Sequence, residues 1–158
     1  MDIPKNYSCT ENFFGYCDFL QVGINFECQT RTNNQKRIKN EQRKKIVGIL
    51  NAIELYAETG RKGEGTLIGQ AFIPEAAMTW VADGKISAVP IAALADALDK
   101  TGAEEVTYEV SDITLAQDVA FVRIESTFSK LGSFSDMFTL AEQADGTWKI
   151  VSKIYHAK

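Results

Sequence analysis

With 158 residues, 45% of them hydrophobic, the chain is one ordinary domain, able to bury roughly two thirds of the surface its unfolded form exposes without a metal or disulfide staple. Its net charge of −4 is uneven: residues 1–45 carry eight Lys/Arg against five Asp/Glu, and residues 46–158 carry nine against sixteen. An acidic body is a poor match for a phosphate backbone, and no run approaches the ~20 apolar residues of a membrane helix, so neither nucleic acid nor a bilayer is an expected partner.

Residues 1–40 do not resemble the rest. They hold scattered aromatics (Tyr7, Phe13, Phe14, Tyr16, Phe19, Phe26) without a sustained period, and are expected to form a poorly ordered extension. Cys9, Cys17 and Cys28 match no zinc spacing and, being odd in number, cannot all pair within the chain, which favours free thiols in a reducing compartment. Met1 to Leu20 lacks a secretory pattern, so a cytoplasmic location is expected. The basic cluster Lys36, Arg37, Lys39, Arg43, Lys44 and Lys45 is either a patch for an acidic partner or nuclear import, or the solvated lead-in to a helix; such runs are more commonly the latter.

The body, residues 41–158, opens with a helix from about Glu41 to Thr59. Ile46, Ile49, Leu50, Ile53, Tyr56 and Ala57 recur at intervals of three and four, and Gly60 is placed to end it. A short helix over Thr66 to Phe72 follows, stopped by Pro74. Ala76 to Val81 and Lys85 to Val89 form a hairpin across Asp83-Gly84, and Pro90 suits the first turn of a third helix, Ile91 to Lys100. From there the chain alternates as strands: Val106 to Ile113, Val119 to Phe128, Phe134 to Ala141 and Trp148 to Tyr155, the last two joined across Asp145-Gly146. Three helices on a curved antiparallel sheet make an α+β cone whose interior suits a small molecule.

Within the third long strand Phe134, Asp136, Phe138 and Leu140 share a face, which sets a carboxylate in an apolar row. Buried there, Asp136 is either a neutral acid of raised pKa or an ion held by a partner such as Lys153; near a strand end it would be solvated. His156 is the one histidine and a candidate acid or base, though close to the chain end. The sequence has no nucleotide-binding glycine fingerprint, metal-ligand cluster or nucleophile motif, so no cofactor and no metal is expected.

The order of elements, with a Phe-x-Pro after the second helix, a Trp-bearing strand and the pairing of FSDMFTL with DGTWKIVSKIYH, resembles the nuclear transport factor 2-like superfamily. Within it the chain is similar to the small bacterial proteins called putative lumazine-binding and to SnoaL-like proteins, relatives of ketosteroid isomerases and polyketide cyclases. The resemblance covers about Glu41 to His156. It implies a cystatin-like cone, a small-molecule ligand, and a homodimer formed through the outer sheet face, where Phe121 would otherwise be exposed beside Arg123 and Glu125.

Laid on this chain, the isomerase machinery is mostly missing. The position of the proton-abstracting aspartate falls on Trp80, that of the oxyanion-hole tyrosine falls near Ile53 with Tyr56 a turn further on, and Asp136 alone matches the third group. The residues expected to line a pocket are Tyr56, Trp80, Val122, Ile124, Phe138, Lys153 and Tyr155, with Trp80 equally readable as core and Tyr56 more readily so, and Asp136 and His156 the catalytic candidates. Two functions follow: a dimeric binding module for a small apolar or planar ligand, or a cofactor-free isomerase, dehydratase or cyclase using Asp136 with a Tyr or His partner.

Overall fold

The computed structural model describes residues 21–158, with side chains from residue 34 onward. The readings of order in residues 1–20 and of the thiols of Cys9, Cys17 and Cys28 lie outside these. The chain divides into two units at Asn40/Glu41, and the second, Glu41–Lys158, carries the sheet.

Helix α1 spans Gln21–Lys62 and so begins well before the Glu41 that the apolar stripe predicts. Its turns from Gln35 to Lys45 are rich in Gln, Arg and Lys, good helix formers. The basic residues from Lys36 to Lys44 are exposed there, and Lys45 pairs with Glu142 at 2.7 Å. Ile49, Ala52, Ile53, Tyr56 and Ala57 form its buried stripe, while Ile46 lies outside it, 37% exposed. The helix stops at Gly63, not Gly60: Gly63 has φ 63° and its N–H donates back to Thr59 O at 2.9 Å. Gly60 has a different task. A Cβ there would come within 2.6 Å of Phe128 Cε1 and 2.9 Å of Val106 Cγ2, so its lack of a side chain lets α1 rest on the sheet.

A 3₁₀ turn, Gly65–Leu67, leads into α2, Ile68–Ala71. Strand β1, Phe72–Ala82, starts earlier than expected; its register with β6 jumps between Phe72 and Ala77, and Pro74 sits within that irregularity, where a missing N–H is tolerated. Asp83 and Gly84 both have positive φ and turn the chain into β2, Lys85–Pro90. Pro90 therefore closes a strand instead of opening a helix, and α3, Ala92–Thr101, begins after Ile91. Strands β3 (Val106–Ala116), β4 (Val119–Phe128), β5 (Gly132–Glu142) and β6 (Trp148–Ala157) follow.

The six strands form one curved, unclosed sheet in the order β2-β1-β6-β5-β4-β3. All neighbours are antiparallel except β1 and β6, which run parallel. Alternation sends Ala120, Val122, Ile124, Ser126 and Phe128 of β4, and Asp136, Phe138 and Leu140 of β5, to the concave face under α1. On β6 the alternation breaks once. Leu140 pairs with Ile150 and Thr139 with Ser152, so Val151 is an extra, bulged residue. Trp148 and Ile150 face inward before the bulge, and Lys153 is buried after it.

Gly60→Ala tests the close approach of α1. The added methyl should lower stability by about 1–3 kcal/mol through overpacking, against a helix-propensity gain of up to ~1 kcal/mol. A chemical denaturation curve that shows net stabilisation would contradict it.

Candidate functional site

At the centre of the concave face lies a buried ionic cluster. Asp136 is 0% exposed and Lys153 is 4% exposed. In the β5–β6 register Asp136 stands opposite Tyr155 and Lys153 opposite Phe138, which makes the two charged residues diagonal neighbours on one face. Ser126 is the matching diagonal neighbour on β4. Lys153 Nζ lies 2.7 Å from Asp136 Oδ1, and Ser126 Oγ donates to Asp136 Oδ2 at 2.7 Å. The Lys153 ammonium pairs with Oδ1 as a salt bridge and donates a hydrogen bond to Tyr56 OH on α1, at 2.7 Å. Of the alternatives open for Asp136, the geometry is that of a carboxylate facing a lysine partner.

Aromatic rings enclose the ammonium. Its Nζ lies 4.8 Å from the ring centre of Tyr56, 5.2 Å from Tyr155, 5.7 Å from Phe138 and 5.9 Å from Phe134, all within range of a cation–π attraction. Tyr56 also packs edge-on against Phe138 at 5.2 Å and Phe72 at 6.0 Å. Burial pushes the Lys153 amine below the usual lysine value, and the Asp136 charge pulls it back. Burial and then the Asp136 charge hold the Tyr56 hydroxyl well above the usual tyrosine value, and the same two causes raise Tyr155.

Above this cluster opens a cavity of about 210 Å³ lined by Tyr56, Met78, Leu94, Ala97, Phe128, Leu131, Phe134, Lys153 and Tyr155. Its polar groups gather at the Tyr56–Lys153–Tyr155 end. Leu131 belongs to the β4–β5 connection, which is clamped to the segment after α3: Lys130 N–H donates to Glu104 Oε2 at 2.7 Å, and Lys130 Nζ donates to the carbonyls of Thr101 and Ala103.

Of the residues singled out in the sequence, Tyr56, Lys153 and Tyr155 line the cavity. Asp136 and Phe138 lie beneath its wall, in contact with residues that form it. Val122 and Ile124 are buried in the core and are not among the residues that line the cavity. Trp80 is half-buried and stacks on Tyr155 with ring centres 5.7 Å apart, behind the wall. His156 is not brought to the cluster. It is exposed, one step out of phase with Lys153 and Tyr155, so alternation turns it to the outer face, away from Asp136. Ser126, Met78, Leu94, Ala97, Phe128 and Leu131 were not singled out. Ser126 had a signal, since it shares the inward phase of Val122 and Ile124 on the strand beside Asp136.

Among the described residues no group of three His, Cys, Asp or Glu side chains could hold a metal ion, and no helix is long and apolar enough to cross a membrane.

A curved sheet carrying three helices over a central cavity is the architecture of the nuclear transport factor 2 (NTF2)-like superfamily, the class to which this domain belongs. More particularly, residues 44–156 match the model of the family described as "Putative lumazine-binding", and the chain belongs to that family. It is similar to an NTF2-like protein of unknown function from Shewanella baltica, at 29% identity and a TM-score of 0.66 over 72% of this chain and 93% of that one. An NTF2-like protein of unknown function from Methylobacillus flagellatus gives 29% identity and a TM-score of 0.64 over 72% and 91%. A ketosteroid isomerase-like protein from Erwinia carotovora atroseptica, 17% identical with a TM-score of 0.53 over 69% and 92%, shares the fold alone. No curated protein matches the sequence.

The coupling of the buried charges is testable. Asp136→Asn removes the charge that holds up the Lys153 pKa, leaving a protonated amine buried without a counter-ion, at a cost of about 3–5 kcal/mol. An amine whose folded pKa lies below its unfolded value of about 10.4 is penalised while protonated, so stability rises with pH towards that value. Denaturant titrations between about pH 6 and 9 should therefore show the Asp136→Asn deficit shrinking as pH rises. The apolar double variant Asp136→Leu/Lys153→Met should recover most of the loss. A deficit independent of pH and unrelieved in the double variant would refute the coupling.

Proposed function

We propose that the chain is a dimeric binding domain that holds a small apolar or planar molecule in the cavity under α1 and α3 without transforming it. The pocket domain is the unit Glu41–Lys158, with residues 1–40 an extension to it, and the odd cysteine count supports a cytoplasmic setting.

The observation that carries this reading is the make-up of the cavity wall. One end offers Lys153 and two tyrosines whose protons are held tightly, and the rest is apolar. The carboxylate that an isomerase, dehydratase or cyclase would use as a base is committed to Lys153 and Ser126 and does not border the cavity. A general base must come within hydrogen-bond reach of the proton it takes. Size supports the same conclusion: a cavity of about 210 Å³ falls below the ~300–1,000 Å³ of drug-sized sites, while ~150 Å³ is enough for benzene. A volume of this size matches one ring or a small bicycle.

Ala97→Trp, which adds a large side chain to the cavity wall from α3, tests the site. In a thermal-shift screen of one- and two-ring compounds, hits should stabilise the wild type and lose at least about tenfold in affinity in the variant, the loss expected when the space is occupied. Hits that bind both proteins equally would place binding elsewhere, and chemical conversion of a hit would favour the enzyme.

The dimer reading is supported by the outer sheet face. Phe121 is 61% exposed, Met137 49% and Ile154 47%, and Met137 and Ile154 are direct cross-strand partners. Contiguous exposed apolar residues of this kind commonly mark an interface. A cluster of Arg123, Glu125, Ser135 and Lys158 borders them. Phe121→Asp combined with Met137→Asp should raise the dimer dissociation constant by about a hundredfold or more, as for loss of interface hot spots. Sedimentation showing a monomeric wild type at micromolar concentration would remove the dimer.

A further inference from the structure

Lys153 has donor capacity that the protein does not use. An ammonium carries three N–H bonds. One is spent on Tyr56 OH and one faces Asp136 Oδ1 across the salt bridge, and among the described residues no other acceptor is present for Nζ. Lys153 also borders the cavity, between Tyr56 and Tyr155. A ligand atom that accepts a hydrogen bond at this end would meet a donor that is charged, buried and already fixed in place by four aromatic rings.

The charges behind that donor decide what kind of acceptor fits. Asp136 already balances Lys153 at 2.7 Å. A ligand carboxylate would thus be a second negative charge beside one ammonium, in a place with little water to screen it. A cationic ligand would meet Lys153 itself. A neutral acceptor adds no charge and uses the free donor.

Resting on the binding role proposed above, we infer that the cavity selects neutral, planar one- or two-ring compounds bearing a carbonyl-type oxygen, held by a hydrogen bond from Lys153, over their anionic, cationic and acceptor-free analogues. The aromatic wall accepts the ring, and Lys153 reads the oxygen.

A matched set of one-ring probes tests this: acetophenone, benzoate, α-methylbenzylamine and ethylbenzene, titrated against the full chain at neutral pH by ligand-observed NMR. Acetophenone should bind at least about tenfold tighter than each of the others, because a hydrogen bond from a charged donor is worth a decade or more. In Asp136→Leu/Lys153→Met, which keeps the interior free of a stranded charge, acetophenone should fall to the affinity of ethylbenzene. Benzoate or the amine binding as well as acetophenone would overturn the charge argument, and ethylbenzene binding as well would overturn the role of the Lys153 donor. In either case the cavity would remain a binding site. If no member of the set binds wild type at millimolar concentration, the binding role itself falls.

Discussion

The concave face depends on one buried ion pair. Asp136 and Lys153 are both almost wholly removed from water, and desolvating two charges costs several kcal/mol each before their attraction offsets any of it. The surroundings supply the rest: Ser126 satisfies the second carboxylate oxygen, Tyr56 accepts from the ammonium, and four rings present their faces to it. Remove any of these and a charge is left without its compensation. An apolar pair of similar volume would fill the same space at no such cost, so stability alone gives no reason for charges here. A hydrogen-bonding end to an otherwise apolar cavity does.

The pair meets because β6 breaks its alternation. With strict alternation, Trp148 and Ile150, both core residues, would carry Ser152, Ile154 and His156 inward, and Lys153 and Tyr155 would face out. The bulge at Val151 inserts one residue and reverses the phase. It buries Lys153 and turns His156 to the exterior. Periodicity cannot foresee this, since Val151 looks like any other strand residue, and so the sequence left open which face of the last strand lines the cavity. The inward row of β5 has no such break, and Phe134, Asp136, Phe138 and Leu140 were legible from their spacing.

Other elements were legible for the same reason. The strands of the second half, the Asp83-Gly84 turn and the helices under Ile49 to Ala57 and Leu94 to Leu98 follow from local pattern. What the pattern missed was decided by packing. Gly60 looks like a helix terminator until Phe128 is placed against it, and Pro90 looks like a helix start until β2 pairs with β1 through it. The cavity wall drew on Met78 of β1, Leu94 and Ala97 of α3, and Leu131 of the β4–β5 connection, ordinary apolar residues from three separate segments that no spacing in the sequence relates to one another.

Two glycines of α1 set how closely the helix approaches the sheet. A Cβ at Gly48 would come within 2.6 Å of Trp148 Cδ1, and one at Gly60 within 2.6 Å of Phe128 Cε1, so the helix touches the sheet at two points twelve residues apart. Tyr56 lies between them, one turn before Gly60. Seated at these two points, this part of the helix cannot lift without opening a gap at an aromatic ring, and interiors resist such gaps because unfilled space forfeits contacts. The phenol oxygen of Tyr56 is thereby held where Lys153 Nζ can reach it at 2.7 Å. On this account the precision of the polar end comes from backbone contact made by residues with no side chain, some distance from the groups they position.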